Sequence, residues 1–406
     1  MSKAHPDIND DLRSRGPDAV RERHDRAHEK HNGASAPDME PWPIERVLDI
    51  FSEWLLLADP TPIYAVLGTV AANMLDGDPV WLGIVGPPSS AKTEILNSTS
   101  LLPNIVQAAT LTPAGLLSGT PKKQRAKGTA GGLLQQIGSF GIIALKDFGS
   151  ILSMRAEQKA ETLAALREIF DGAWTRVLGS DGGRTLHWQG KVGVIFGSTG
   201  VIDSHYSVIG AMGDRFLLSR LKPIRDGQFR QALKHVGAAN GRMRRALSEA
   251  VAHLFAGRRT HPQHISDAEV TQLDQTLSLA VRLRGPIERD RHSREIEAVH
   301  GAEGPARLGL MLERLLAGLD TLGVERNTAM DVVLSVAMDS VPPLRRAAYE
   351  HLQGCDEPEE TPKVAAAIGL PTNTVRRALE DLAAYGLVER ETGGQGKADR
   401  WRAIAC

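Results

Sequence analysis

Apolar residues recur with helical spacing over residues 44–58, at Val47, Leu48, Ile50, Phe51, Trp54 and Leu55. A second helix is predicted over residues 62–75, with Pro62 at its start. The texture then changes. Residues 80–85 (Val-Trp-Leu-Gly-Ile-Val) form a short apolar run that stops at a Gly/Pro/Ser segment, as a buried strand does. Residues 105–109, 140–145 and 191–197 repeat that pattern, and helical stretches at 94–101 and 155–170 lie between them. Strands alternating with helices predict an α/β fold, a three-layer core with a mostly parallel sheet. Past about residue 226 the strand signals stop, and 228–255, 266–284 and 304–322 read as helices. After Pro342-Pro343 come three short helical patterns, a glycine-rich turn at 393–396 and a last apolar segment from Arg400. Four regions are predicted: a disordered charged tail at 1–40, the α/β core with its leading helices at 41–225, a helical unit at 226–340, and a small C-terminal unit at 341–406.

Composition narrows the class. The chain has 406 residues, with Lys+Arg 48 against Asp+Glu 49 and a formal charge of −1. This excludes a globally basic coat for nucleic acid, though not a local basic surface. Aromatics at 4% argue against recognition through many base-stacking platforms. Cys355 and Cys406 cannot build a disulfide framework, and no Cys-x-x-Cys pair exists. A reducing, cytoplasmic setting is expected, with no signal peptide and no membrane partner. His261 and His264 are too poorly accompanied to predict a metal site, with Pro262 between them.

The sharpest chemistry sits in Gly86-Pro87-Pro88-Ser89-Ser90-Ala91-Lys92-Thr93, which follows the first strand and precedes a helix. The phosphate-loop pattern is Gly, four residues, Gly, Lys, Ser/Thr, and here Ala91 stands in the second glycine position. Such a loop aims backbone N–H groups at phosphate oxygens. Lys92 would reach the β- and γ-phosphates of ATP, and the Thr93 hydroxyl would bind Mg²⁺.

Downstream elements follow the order of AAA+ ATPases, and most resemble the MCM replicative helicases and related plasmid or phage helicase-like ATPases. Thr112-Pro-Ala-Gly-Leu116 resembles an element after the second strand. Lys146-Asp147-Phe148 resembles the Walker B end of the third. Ile195-Phe-Gly-Ser-Thr199-Gly200 resembles the sensor 1 strand end, and Gly213-Asp-Arg215-Phe216-Leu217 the arginine-finger segment. Pro305-Ala-Arg307-Leu308 resembles the start of the sensor 2 helix. The resemblance implies a P-loop AAA+ core followed by an α-helical lid. It assigns Asp147 to water activation or to Mg²⁺, depending on register. Ser198 or Thr199 would hydrogen-bond the γ-phosphate or the attacking water, Arg215 would act on a neighbouring subunit's nucleotide, and Arg307 would reach nucleotide from the lid. Only one carboxylate stands where the family has two, so Glu168 on the next helix is a further candidate. Arg282, Arg284, Arg289 and Arg291 are cations of the same region that the pattern does not rank.

Two segments are candidate DNA surfaces. Lys122, Lys123, Arg125 and Lys127 cluster between the second and third strands, where the resembling helicases line a central channel. The C-terminal unit reads as a winged helix-turn-helix: helix 361–368, a turn through Pro371, and helix 372–385. Val375, Leu379, Leu382 and Ala383 would face inward, and Asn373, Arg376 and Arg377 outward. The expectation is an ATP- and Mg²⁺-dependent DNA helicase or translocase that self-associates into a ring, with a hexamer implied. The alternative is a nucleotide-switched DNA-binding regulator or helicase loader with slow or no hydrolysis.

Overall fold

The computed structural model describes residues 39–118, 131–178, 184–204, 215–223, 240–257, 261–290, 292–301, 304–394 and 397–404. Everything below belongs to the unit that begins at Trp42. Helices α1 (Ile44–Trp54) and α2 (Thr61–Asn73) lead into β1 (Trp81–Val85). Then follow α3 (Lys92–Asn97), a 3₁₀ turn at Ser98–Leu101, β2 (Ile105–Ala108), α4 (Pro113–Leu116), α5 (Leu133–Ile137) and β3 (Phe140–Leu145). Next come α6 (Gly149–Leu152), α7 (Ala156–Phe170), β4 (Ala173–Leu178), β5 (Arg184–Gln189) and β6 (Lys191–Ser198). The core closes with α8 (Val201–Ser204) and β7 (Leu217–Arg220).

Five of these strands form one sheet in the order β2-β3-β6-β1-β7, every pair parallel. All of β1 is buried, as are most of β3 and β6. Strands buried on both sides need cover on both faces, which is why they read as unbroken apolar runs. Helix α2 buries eleven of its thirteen residues between the sheet and a later helix. Its end is pinned to the start of β1: the Asn73 amide donates to Val80 O at 2.8 Å, and Val80 N donates back to Asn73 Oδ1 at 3.0 Å. Gly83 is required by packing, because a Cβ there would enter the Phe196 ring. That ring belongs to a cluster with Phe148 and Phe216, at centroid distances of 4.5 and 5.1 Å.

Two features of the core depart from the sequence expectation. β7 is a fifth strand that the pattern did not resolve, since only four residues of it pair. It is held from outside, where Leu218 N donates to Ser340 Oγ at 2.8 Å and Arg220 N to Asp339 Oδ2 at 2.7 Å. The antiparallel hairpin β4–β5 is the second element outside the predicted set. Its alternation was readable: Trp174, Leu186 and Trp188 are buried while Thr175 and His187 face out.

The helical region contains α9 (Asn240–Ala256), α10 (Asp267–Arg284), α11 (Ala306–Thr321) and α12 (Arg326–Asp339). Strand signals do not stop at residue 226, because β8 (Ile287–Arg289) and β9 (Ile296–Val299) form a hairpin there. Ser266 and Glu269 close a reciprocal capping box on α10. Helix α11 lies against α2 so closely that a side chain at Gly318 would collide with the Gly68 carbonyl. The C-terminal elements are α13 (Pro343–Gln353), β10 (Glu359–Glu360), α14 (Thr361–Ile368), α15 (Thr372–Ala384), β11 (Val388–Glu391) and β12 (Arg400–Ala403). Their strands form an antiparallel sheet in the order β10-β12-β11 around the fully buried Trp401. Among the described residues, no helix is long and apolar enough to cross a membrane.

Candidate nucleotide site at the carboxyl edge of the sheet

The chain leaves β1, the strand between β6 and β7, directly into the loop of residues 86–93. Gly86 N donates to Ser198 O at 3.1 Å, which ties the loop base to the end of β6. A Cβ on Gly86 would stand 2.9 Å from both Leu221 Cδ1 and Ser90 Oγ, so only glycine fits without a shift. The loop then turns through two non-glycine residues in the left-handed region, Ser89 at φ 61° and Ala91 at φ 64°. Each such residue costs roughly 1–2 kcal/mol against an extended or right-handed backbone. Strain of this kind persists where surrounding structure over-determines it, commonly at binding loops.

Lys92 begins α3 and folds back over the loop. Its Nζ donates to Gly86 O at 2.8 Å, Pro87 O at 2.5 Å and Ser90 Oγ at 3.1 Å. Burial pulls the Lys92 pKa below the ordinary lysine value, and the Asp147 carboxylate pushes it back up. Asp147 stands just past β3, two strands from β1 and so about 10 Å away across the sheet. It is exposed, and its Oδ1 accepts from Gly149 N at 2.8 Å, which also caps the short turn after the strand. Thr93 is exposed beside Lys92. Thr199 is half-buried, one residue past the Ser198 carbonyl that anchors Gly86. Pro87 and Pro88 are exposed at the loop crest. Beside the loop, Glu94 takes a two-pronged pair from Arg244 of α9, at 2.9 Å from Nε and 2.7 Å from Nη2.

Packing sets which side chains at the end of β3 face outward. Phe148 is 1% exposed inside the aromatic cluster, so it does not face the loop. Lys146 and Asp147 are the exposed pair at that strand end. The site therefore has a single carboxylate from this strand.

Other sequence candidates stand at the opposite edge of the sheet. β1 and β7 pair with Leu82 opposite Leu217, which sets Arg215 level with Val80. Six residues of strand, about 20 Å, separate that level from Gly86. There Arg215 is 8% exposed and grips Asp171 with 3.0 and 2.8 Å contacts. An open cavity of about 440 Å³ beside this pair is lined by Arg167, Glu168, Asp171, Trp174 and Arg176 as well as Arg215. Glu168 thus lies in that cavity rather than beside Asp147. Arg307 sits two helical turns before Arg314, whose guanidinium binds the carbonyls of Asp76 at 2.6 Å and Ala72 at 2.9 Å. Those carbonyls lie at and just past the end of α2, where the strands begin, so Arg307 and the 86–93 loop are not brought together within one chain.

The unranked arginines separate clearly. Arg289 pairs with Glu380 at 2.9 Å and Asp381 at 2.6 Å, and Arg282 donates to Tyr385 O at 3.0 Å. Both fasten α15 to the helical region. Arg284 is buried, and Arg291 lies outside the described residues. Arg376 and Arg377 are exposed on α15, with Arg376 paired to Glu380 at 3.0 Å. Lys122, Lys123, Arg125 and Lys127 lie outside the described residues.

No protein-family model matches the chain, and no curated protein matches it. Solved structures do. An apo A-form structure of the NrS-1 C-terminal region is 11% identical at a TM-score of 0.31, covering 91% of this chain and 78% of that one. A second apo A-form structure, of its residues 305–718, is 10% identical at a TM-score of 0.29, covering 91% and 77%.

Proposed function

We propose that this chain binds ATP at the 86–93 loop, hydrolyses it, and uses the energy on DNA as an AAA+ ATPase of the MCM-like helicase or translocase kind. The observation that carries this reading is that Lys92, Thr93 and Asp147 all stand at the carboxyl edge of the central parallel sheet, past β1 and β3. That edge is where open α/β sheets take ligands. Lys92 would exchange its loop carbonyls for β- and γ-phosphate oxygens, at little net cost in hydrogen bonds. Ser89 and Ala91 in left-handed conformations turn the backbone of the loop toward the same point. The Thr93 hydroxyl and the Asp147 carboxylate are hard oxygen donors, which suits Mg²⁺. That ion, when present, supplies charge neutralisation at the transferring phosphoryl group. In the other register Asp147 would instead orient or deprotonate the attacking water, and Thr199 would hydrogen-bond near the γ-phosphate.

Arg215 is too far from its own loop to serve it, which suits a finger acting on a neighbouring subunit in a ring, a hexamer if the resemblance holds. The elements from α13 to β12 follow the order of a winged helix, and its exposed Arg376 and Arg377 would meet DNA phosphates. Lys122, Lys123, Arg125 and Lys127 would track the strand in the channel. A second reading is favoured by the lone carboxylate and the neighbouring Lys146: a regulator or loader that binds ATP but turns it over slowly.

One set of measurements tests both. ATP affinity should fall about 10- to 100-fold in Lys92→Ala, the loss expected for charge-assisted hydrogen bonds. Asp147→Asn should keep binding and lose turnover by about 10²-fold or more. Mixing Arg215→Ala with Lys92→Ala subunits should restore part of the activity, since each supplies the half-site the other lacks. Unchanged ATP affinity in Lys92→Ala ends the nucleotide reading. Tight ATP binding with no turnover, with or without single-stranded DNA, selects the regulator.

A further inference from the structure

Helix α13 closes on Gln353, and its last turn carries His351. Cys355 follows four residues later, and Glu359 opens β10. The three side chains converge although the sequence holds no cysteine pair at zinc-finger spacing. His351 Nε2 lies 3.4 Å from Glu359 Oε2 and 3.8 Å from Cys355 Sγ, and all three ligand atoms lie within 4.8 Å of one another. We propose that His351, Cys355 and Glu359 form a three-ligand site for a thiophilic divalent cation, zinc above all, with the fourth position open to water.

The spacing fits the ion. A tetrahedral zinc with ordinary bond lengths sets nitrogen and carboxylate oxygen about 3.3 Å apart and nitrogen and sulfur about 3.6 Å apart. Two of the three separations already approach these values, so closure around a cation asks only for side-chain rotation. The donor set is one imidazole, one thiol and one carboxylate, which suits zinc and not Mg²⁺.

The scaffold is also rigid where it must be. Tyr349 and Leu352, beside His351 on α13, are 0% and 1% exposed, and Glu359 pairs in register with the buried Trp401 of β12. The backbones of His351 and Glu359 are thus held by packed elements, Cys355 N donates to Leu352 O at 3.2 Å, and the side chains stay partly open to solvent, with His351 and Glu359 27% and 29% exposed. In the absence of a cation the trio satisfies itself: the Cys355 thiol donates to His351 O at 3.3 Å and the imidazole meets Glu359. A bound ion would cross-link the end of α13 to the edge of the C-terminal sheet, bracing the unit that carries α15. This site is independent of the nucleotide reading, since it shares no residue with the 86–93 loop.

The test uses the full chain without a histidine tag, stripped by chelator and titrated with Co²⁺. One equivalent should produce a thiolate-to-cobalt charge-transfer band with tetrahedral visible bands, and zinc should displace it. Cys355→Ser should remove the charge-transfer band, whereas Cys406→Ser should keep it. His351→Ala and Glu359→Gln should each weaken binding tenfold or more. Zinc should raise the melting temperature of the wild-type chain and leave that of Cys355→Ser unchanged. A cobalt spectrum without the thiolate band, or a band that survives in Cys355→Ser, overturns the proposal. So does a zinc-independent melting temperature.

Discussion

The two edges of the central sheet each hold a partly buried lysine that clamps backbone carbonyls, yet they are built for different ends. At the carboxyl edge, Lys92 lies over carbonyls of its own loop of Gly, Pro and Ser, and the Asp147 carboxylate acts on it across the sheet. At the amino edge, Lys191 donates to Leu75 O at 2.5 Å and sits beside a second cation, Arg314, which binds the same helix end. Burial, and then Arg314, pull the Lys191 pKa down to about 8. Helix C-termini attract cations, so both side chains are held by α2 despite their mutual repulsion. The difference is one of alternatives. Lys92 has partners that a phosphate can replace and a carboxylate facing it. Lys191 and Arg314 hold structural carbonyls past the end of α2, with Asp76 and Asp78 as the nearby carboxylates, and removing them strips those carbonyls of their charged donors.

This contrast can be broken most directly at Arg314. Arg314→Ala should lower stability by about 2–3 kcal/mol, because carbonyls at the end of α2 lose charge-assisted donors. Its ATP affinity should stay within twofold of wild type, the reverse of the Lys92→Ala pattern. Equal losses of stability and ATP affinity in both variants would show that the two edges are one coupled system.

A subtler separation uses pH. The folded pKa of Lys191, about 8, lies below its ordinary 10.5. Between those values the unfolded chain binds the proton more tightly, so folding stability rises with pH across that window. The charging penalty is fully present below pH 8. The wild-type chain should therefore gain on Lys191→Met between pH 8 and 10 by about 1–2 kcal/mol, a figure reduced for partial solvent exposure. Urea midpoints of the two chains at each pH measure it. Parallel profiles would place Lys191 in an ordinary solvated environment.

The smallest expected effect tests the strain at the carboxyl edge. Ala91→Gly should raise stability by about 0.5 kcal/mol, the relief of a left-handed residue less the greater freedom of glycine when unfolded. Ala91→Val should lower it by about 1–2 kcal/mol, since a branched side chain tolerates that region worst. A stabilising valine would mean that the loop does not hold the left-handed turn.

The 86–93 loop was legible because its parts are contiguous. An apolar run, a glycine, a lysine–threonine pair and a helix follow one another within a few residues, so local sequence carries the strand, the turn and the charge together. The inward stripe of α15, with Val375, Leu379 and Leu382 buried, was legible for the same reason. Periodicity of one helix needs no knowledge of its neighbours. The hairpin β4–β5 shows the limit of that reading. Its alternating residues lay between two stronger signals and were absorbed into the segment joining them.

What tertiary structure alone decided is where distant residues meet. Nothing local shows that Phe148 turns into an aromatic cluster and leaves Asp147 as the exposed carboxylate. Nor does any motif reveal that Arg215 closes on Asp171, that Arg307 stands with α11 at the amino edge, or that Arg289 is spent on Glu380 and Asp381. His351, Cys355 and Glu359 make the same point at the C-terminal unit. Sequence determined the strongest helices and the apolar strands β1, β2, β3 and β6, because backbone preference and apolar period act over a few residues. It could not determine the partners of a charged side chain, because those depend on which end of a strand packs beside which helix, and that is settled only when the whole sheet closes.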